Sequence, residues 1–339
     1  FELETERGMV YYGNNSKQLG GIGEMCFNSP SNSYQITVYN EDYKTPDWFK
    51  TGIAYQIFVD RFCNGNENGE FLGNRTDIIK RNWGEQPFYK AEQFGGEYKA
   101  NDFFGGNLKG VIKKLPYLKD LGISVIYLNP IFKAYSNHKY DTGDYETIDP
   151  MFGDEETFKE LCSKAKEMGI RIILDGVFNH TGSNSRYFNK YGEYDSVGAY
   201  QSKESPYYTW FRFMDWPDVY ESWWGMTTLP QIEEHSEECR KYLLSDKDAI
   251  VKRWIKNGAS GWRLDVVDEL PGFFVKELRE NVKKADKDAV IIGEVWEDAS
   301  NKSAYGERRE YFLGKELDSV MNYPCLLYTS PSPRDRSLS

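Results

Sequence analysis

Two carboxylates stand where the sequence would place acid–base or nucleophilic chemistry. The first lies in Gly261-Trp262-Arg263-Leu264-Asp265-Val266-Val267-Asp268-Glu269, where Trp262, Leu264 and Val266 alternate with Arg263 and Asp265. That is the pattern of a short buried strand ending on charge. Side chains two apart on a strand share a face, so Arg263 and Asp265 point the same way. A guanidinium beside a carboxylate keeps it ionised and its pKa low, as a carboxylate nucleophile requires. The second is Glu294, which closes the apolar run Ala289-Val290-Ile291-Ile292-Gly293 and precedes Val295-Trp296. It has no adjacent basic residue in sequence. It is therefore expected to be the easier of the two to keep protonated, as a general acid must be.

These residues need a frame. Ile53–Asp60, Ile123–Leu128 and Arg171–Phe178 are further apolar runs of strand length. Between them, Leu108, Val111, Ile112, Leu115 and Leu118 recur at helical spacing up to Gly122, and Glu155–Met168 reads as a second helix ended by Gly169. Helical stretches over 237–256 and 270–284 lead into the strands at Gly261 and Ala289. Alternation of helices with buried strands predicts an α/β fold with a parallel sheet. In a (β/α)8 TIM barrel the reactive residues lie at the C-terminal strand ends. Asp60, Asp175, Asp265 and Glu294 all fall there. Residues 48–325 are read as such a barrel, incomplete at about five strands. Residues 181–225, polar and aromatic, are read as an inserted subdomain in which Trp223 and Trp224 are packing residues. Residues 1–47, with Met9–Tyr12 and Tyr34–Tyr39 as strands, are read as the end of a β-sandwich. The Ser/Pro/Arg-rich stretch 326–339 breaks the pattern and is read as a foreign or disordered tail.

Composition narrows the partners. The 339 residues carry 42 basic and 53 acidic side chains, a net charge of −11, which argues against a nucleic-acid backbone as ligand. Aromatics reach 16%, fitting either a dense core or a surface that stacks on sugar rings. Five scattered cysteines without a Cys-x-x-Cys pair match neither a disulfide framework nor a zinc site. They favour a reducing compartment, so a cytoplasmic location is expected. No run is apolar enough to span a membrane. The chain begins at Phe1, read as a truncation point that leaves an upstream signal open.

Asp175-Gly176-Val177-Phe178-Asn179-His180, Gly261 to Glu269, and Gly293-Glu294-Val295-Trp296 resemble, in order and spacing, three conserved stretches of the α-amylase family of glycoside hydrolases. Ser136-Asn137-His138-Lys139-Tyr140-Asp141-Thr142 and Ser222-Trp223-Trp224-Gly225 extend the likeness. With the N-terminal strands, the chain is most similar to the neopullulanase, cyclomaltodextrinase and maltogenic amylase branch, over residues 1 to about 325. The resemblance implies Asp265 as nucleophile and Glu294 as general acid/base, with Arg263 holding Asp265. It implies that Tyr140 stacks under the cleaved sugar, that His180 binds its hydroxyls, and that Glu269 and Trp296 line the acceptor side.

The reaction implied is retaining hydrolysis, with some transglycosylation, of α-1,4-glucans such as cyclodextrins, pullulan or maltooligosaccharides. Adjacent parallel strands lie about 4.8 Å apart, close to the roughly 5–5.5 Å between carboxyls in retaining glycosidases. A non-catalytic carbohydrate-binding protein on the same fold is the competing reading, against which the intact Arg263, Asp265 and Glu294 speak. A full-length homodimer is compatible with the branch. In the loop Asn64-Gly65-Asn66-Glu67-Asn68-Gly69, the residues Asn64, Asn66 and Asn68, with the Gly105 carbonyl and Asn107, offer oxygen donors suited to a structural calcium. The same loop also reads as an ordinary Asn/Gly turn.

Two departures weaken the match to the branch. Glu297 follows Trp296 where His is usual, and Leu229-Pro230-Gln231-Ile232-Glu233 replaces Met-Pro-Lys-Leu-Asn. The family's third carboxylate, an Asp after a His, is not in the chain. Its three histidines are His138, His180 and His235, none beyond Glu294. The chain as it stands is therefore expected to be inactive.

Overall fold

The computed structural model describes residues 1–16, 21–27, 32–96 and 98–323. The stretch 326–339 lies outside the described residues. The chain divides into a unit of Phe1–Glu41 and a second that begins at Asp42.

In the first unit, Glu2–Thr5, Gly8–Gly13 and Glu24–Cys26 form an antiparallel sheet in that order. The strand expected at Met9–Tyr12 is present. Tyr34–Tyr39 is not a strand. Ile36 and Val38 have the branched side chains of strands, yet both are strongly exposed; β propensity acts through side-chain burial against neighbours, and these two side chains are not buried. Tyr34 instead sets its ring against Phe1 and Tyr12, with centroids 6.1 and 6.4 Å away.

The second unit is built on six parallel strands: β1 (Ala54–Ile57), β2 (Val125–Leu128), β3 (Arg171–Gly176), β4 (Gly261–Leu264), β5 (Val290–Val295) and β6 (Ser319–Asn322). They lie side by side in sequence order, a curled part of a (β/α)8 barrel. The sequence suggested five. β6 escaped notice because Ser319-Val320-Met321-Asn322 is short and only partly buried. Helices α1 (Leu108–Asp120), α2 (Glu155–Glu167), α3 (Ile250–Lys256) and α4 (Gly272–Ala285) fill the first four crossovers. The helix expected over 237–256 is broken into Glu237–Arg240, a wider turn at Lys241–Ser245, and α3. The polar run Ser245-Asp246-Lys247-Asp248 interrupts it.

Strand alternation separates two apolar layers. Ile126, Leu128, Ile172, Leu174, Trp262 and Leu264 belong to the large cluster that includes the buried faces of the helices. Val125, Tyr127 and Ile173 face the other way and pack with Ile292, Trp48 and Phe49 inside the curl. The functional side chains belong to this inner row, farther along the strands. The connection from β3 to α3 carries the inserted segment, with a short hairpin of Phe213–Asp215 and Val219–Tyr220. Its core is aromatic: Tyr187 stacks on Trp210 at 5.0 Å, and Phe188 meets Phe211 edge-on at 4.9 Å.

Caps place the helices. Asn107 accepts the Gly110 N–H at the start of α1, and Asp154 accepts the Thr157 N–H at the start of α2. At Gly110 two effects oppose each other. Alanine is favoured over glycine inside a helix by about 1 kcal/mol. A Cβ there would lie 1.8 Å from the Cys63 carbonyl oxygen, inside a backbone contact that has no flexible end to yield. The contact dominates, so Gly110→Ala is expected to lower the melting temperature by several degrees, corresponding to about 2 kcal/mol or more. A gain in melting temperature would show that the helix start can shift away from the 63–65 loop.

Candidate active site

The register of the sheet brings the charged residues together. Asp175 lies opposite Arg263 across β3 and β4. Leu264 lies opposite Gly293 across β4 and β5, so Asp265 and Glu294 follow as the next positions along. The Arg263 guanidinium sits among three carboxylates. Its Nη1 donates to Asp265 Oδ1 at 2.8 Å and to Asp175 at 3.0 and 3.2 Å, and its Nη2 lies 2.9 Å from Glu294 Oε1. The shared face predicted for Arg263 and Asp265 is thus present.

Two electrostatic expectations need correction. Arg263 does not hold Asp265 alone, because one cation is divided among three anions. Burial, and then the Asp175 carboxylate, push Asp265 up to about 8 against the pull of Arg263. Burial also raises Asp175, and the arginine is held above its ordinary value. Nor does Glu294 lack a basic partner: Arg263 reaches it from the neighbouring strand. Val266 N–H and Trp296 Nε1 also donate to its two oxygens, at 2.9 and 3.2 Å. Asp175 and Asp265, both raised by burial and both facing Arg263, therefore do not titrate independently of each other.

Local backbone sets these contacts. β4 ends at Leu264, so Asp265 lies just beyond the strand, its N–H on the Gly176 carbonyl at 3.1 Å. Val266 has a φ of +39°. That conformation is costly for a β-branched residue, and it turns the Val266 N–H onto Glu294. Asp60 does not join the cluster. Its carboxylate accepts the Phe104 and Gly105 N–H groups and pairs with Arg61, which makes it an anchor for the 102–107 loop.

A cleft of about 870 Å³ opens above Asp265 and Glu294. Tyr140 lines it, donating to Asp175 Oδ2 at 3.1 Å while its ring lies near that of His138. His180 lines it as well, stacked on Trp223 at 5.1 Å. The His180 Nε2 is buried with no hydrogen-bond partner among the described residues, so a ligand hydroxyl could complete it. Trp296 is half exposed at the rim. Glu269 accepts from Trp224 Nε1 at 3.1 Å. Trp224, expected to pack, is 63% exposed instead, and Trp223 faces the cleft.

Sequence reasoning passed over Tyr127, which donates to Asp175. Its signal was faint: a tyrosine inside an apolar strand reads as core. Asp175 was placed at a strand end but given no role, although Asp and Tyr facing inward from adjacent strands mark a polar floor.

Four of the five calcium candidates come together. Asn64 Oδ1 accepts the Asn66 N–H at 2.8 Å, and Asn107 Nδ2 lies 3.2 Å from Asn64 Oδ1 and 3.4 Å from the Gly105 oxygen. Asn107 Oδ1 is committed to the Gly65 and Gly110 N–H groups. Asn68 Oδ1 takes the Glu70 N–H. The Asn64 and Gly105 oxygens thus converge on the Asn107 amide nitrogen, which a hard cation would have to displace to take them as ligands. Their neutrality makes for a weak site, and no group of three or more His, Cys, Asp or Glu side chains among the described residues is placed to hold a metal.

A model of the α-amylase catalytic domain matches residues 56–334. The chain belongs to the α-amylase family of glycoside hydrolases. It is 41% identical to an amylopullulanase of Thermoanaerobacterium saccharolyticum over 95% of this chain and 27% of that protein. It is 40% identical to a cyclomaltodextrinase of Thermoanaerobacter pseudethanolicus over 82% of this chain and 44% of that protein. Among solved structures, the type III pullulan hydrolase from Thermococcus kodakarensis is similar with a TM-score of 0.69 at 34% identity, covering 89% of this chain and 52% of that one. The chain thus spans about a quarter to a half of the length of these relatives. The branch suggested by the motifs is represented among them, and amylopullulanases, which the motifs did not suggest, stand beside it. No helix among the described residues is long and apolar enough to cross a membrane.

Burial lowers His180 to about 4, below the ordinary histidine value near 6.5. Its neutral form is the one that fits the fold. The stability it contributes is full above about 6.5 and is lost as pH falls toward about 4, on the order of 3 kcal/mol across that window. Asp265, raised, changes in the opposite sense, so the comparison must be made against a variant. His180→Asn is expected to flatten the fall in melting temperature between pH 6.5 and 4. Parallel profiles for the two proteins would remove His180 as the source.

Proposed function

We propose that this chain carries the nucleophile and the acid/base of a retaining α-glucan hydrolase. Asp265 attacks the anomeric carbon while Glu294 gives its proton to the leaving oxygen, and the glycosidic bond breaks. In the second step Glu294 takes a proton from water or from a sugar hydroxyl, whose oxygen displaces Asp265 with overall retention. Arg263 orients both groups, Tyr140 supports the reacting sugar, and His180 binds its hydroxyls. Trp296 and Glu269 line the leaving-group side. The observation that carries this reading is one guanidinium bridging carboxylates from adjacent strands on the floor of the cleft. An inverting enzyme spaces its carboxyls by about 6.5–9.5 Å to seat a water between them. Here Asp265 and Glu294 are drawn onto neighbouring nitrogens of the same group.

The substrates proposed are α-1,4-glucans, among them cyclodextrins, pullulan and maltooligosaccharides. The names of the relatives support that class. A cytoplasmic location and a homodimeric full-length form belong to the same reading. Cys26, Cys63, Cys162 and Cys239 form no disulfides, consistent with a reducing compartment. Turnover is best measured in a form of the protein whose barrel is closed by eight strands. Proton NMR of the first-formed product, before mutarotation, should show the α-anomer. Asp265→Asn should lower kcat by at least about 10⁴-fold, and Glu294→Gln should slow poor leaving groups most. A β-anomer would sink the assignment of Asp265.

Calcium is proposed for the 64–70 loop, held by Asn64 and the Gly105 oxygen, with Asn66, Asn68 and Asn107 around them. Its role is structural: it would fix the loop against the start of α1 and take no part in the reaction. A ligand that binds only the folded state raises the melting temperature. Calcium added after EDTA treatment should raise that of the wild type by a few degrees and that of Asn66→Ala by less. Equal shifts in the two proteins would place the ion elsewhere.

A further inference from the structure

The connection from β5 to β6 carries no α-helix, only a single 3-10 turn at Ala299–Asn301. It holds a two-stranded hairpin, Ser303–Ala304 against Glu307–Arg308, with Tyr305 and Gly306 at its tip. Both tip residues have positive φ, +52° and +78°, the conformation of a tight hairpin turn. Glycine takes that conformation freely, whereas tyrosine is held in it at some cost.

The hairpin is fastened from below. Lys302 Nζ lies 2.6 Å from Asp268 Oδ2, Arg309 donates to the Asp268 and Leu270 carbonyl oxygens, and Tyr311 donates to Asp268 at 2.6 Å. All of these partners lie in the segment just after Asp265. The tip is therefore tied to the catalytic strand and not left as a free loop.

Tyr305 is 73% exposed, and burial and the nearby Glu269 carboxylate raise its hydroxyl; Glu269 itself accepts from Trp224. Trp224 meets Trp296 edge-on at 5.8 Å, and Trp296 donates to Glu294. The Trp296 and Trp224 rings thus lead outward from the general acid to Glu269, on the segment to which the hairpin is fastened. Tyr140, His138 and His180 lie instead around Asp175 and the donor end. A general acid protonates the leaving group, so rings beyond Glu294 face the leaving-group side. Flat rings held by hydrogen bonds at their edges, with faces open to water, suit the apolar faces of glucose.

We infer that Tyr305 is a stacking platform for a glucosyl unit on the leaving-group side, and with Trp224 a determinant of how long a glucan the cleft prefers. The inference rests on the α-glucan reading above. Binding is measured by calorimetry in a Glu294→Gln background, so that no ligand is consumed. The probes are maltohexaose, which extends past the reacting bond, and 1-deoxynojirimycin, a single-ring glucose mimic that fills only the reacting site. Tyr305→Ala is expected to weaken maltohexaose about five- to tenfold and to leave 1-deoxynojirimycin unchanged. Tyr305→Phe, which keeps the ring and loses the hydroxyl, should stay within about twofold of the parent. Equal binding of maltohexaose by Tyr305→Ala and the parent would overturn the platform. So would a loss in Tyr305→Phe as large as in Tyr305→Ala, which would transfer the effect to the hydroxyl. Weakening of both probes alike would mark a general disturbance of the cleft and would also count against it. A parent that binds neither probe would sink the α-glucan reading itself, a result distinct from failure of the platform.

Discussion

The site depends on one guanidinium. Arg263 is almost fully buried, and three carboxylates from three adjacent strands close on it. Charges taken out of water are costly unless they are paired and hydrogen-bonded, and removing one partner of such a set leaves an uncompensated charge worth about 3–5 kcal/mol. This cluster carries a formal excess of negative charge, so it must be held by the fold and not by its own electrostatics. Tyr127 and Tyr140 donate to Asp175, and the Val266 N–H and Trp296 donate to Glu294. Those donors spread the negative charge. Burial, with the excess that remains, still raises Asp265 and Asp175 above the ordinary carboxylate range.

The sheet positions this group through register. Parallel strands in sequence order put Asp175 and Arg263 at one level of the inner row, and Asp265 and Glu294 at the next. Below these levels the same row is apolar, with Val125 and Ile173, while Ile292 lies level with Arg263. A change of register by one residue would turn the charged row outward beneath the helices. The buried outer row, Trp262 and Leu264 on the same strand, resists such a slip because it has its own packing to lose. The core therefore secures the chemistry from the opposite face of each strand.

Much of this was legible in the sequence. Alternation in Gly261–Glu269 marked both the strand and the shared face of Arg263 and Asp265, since a period of two is a local property. The apolar run ending on Glu294 was equally plain. What stayed hidden was set by contacts distant in sequence. Asp175 lies 88 positions before Arg263, and only the fold shows that it competes for the same nitrogen. The pairing of Arg263 with Glu294 crosses strands, so inspection of the sequence neighbours of Glu294 missed it. Tyr34–Tyr39 looked like a strand on propensity alone, and β6 did not. The exposure of Trp224 depends on a residue with φ of +50°, which no composition rule foresees.

The charge pattern also says what kind of ligand the cleft suits. A protein of net charge −11 with carboxylates on the floor of its cleft repels anions, so phosphorylated or uronate-bearing substrates meet an unfavourable field. A neutral glucan does not. It pays no Coulomb penalty on entry, and its recognition falls to hydrogen bonds and ring faces, both of which the walls supply. Positive charge develops on the sugar only as the glycosidic bond breaks. The negative field then acts on the transition state far more than on the bound substrate, which is the condition under which electrostatics accelerates a reaction and does not merely tighten binding.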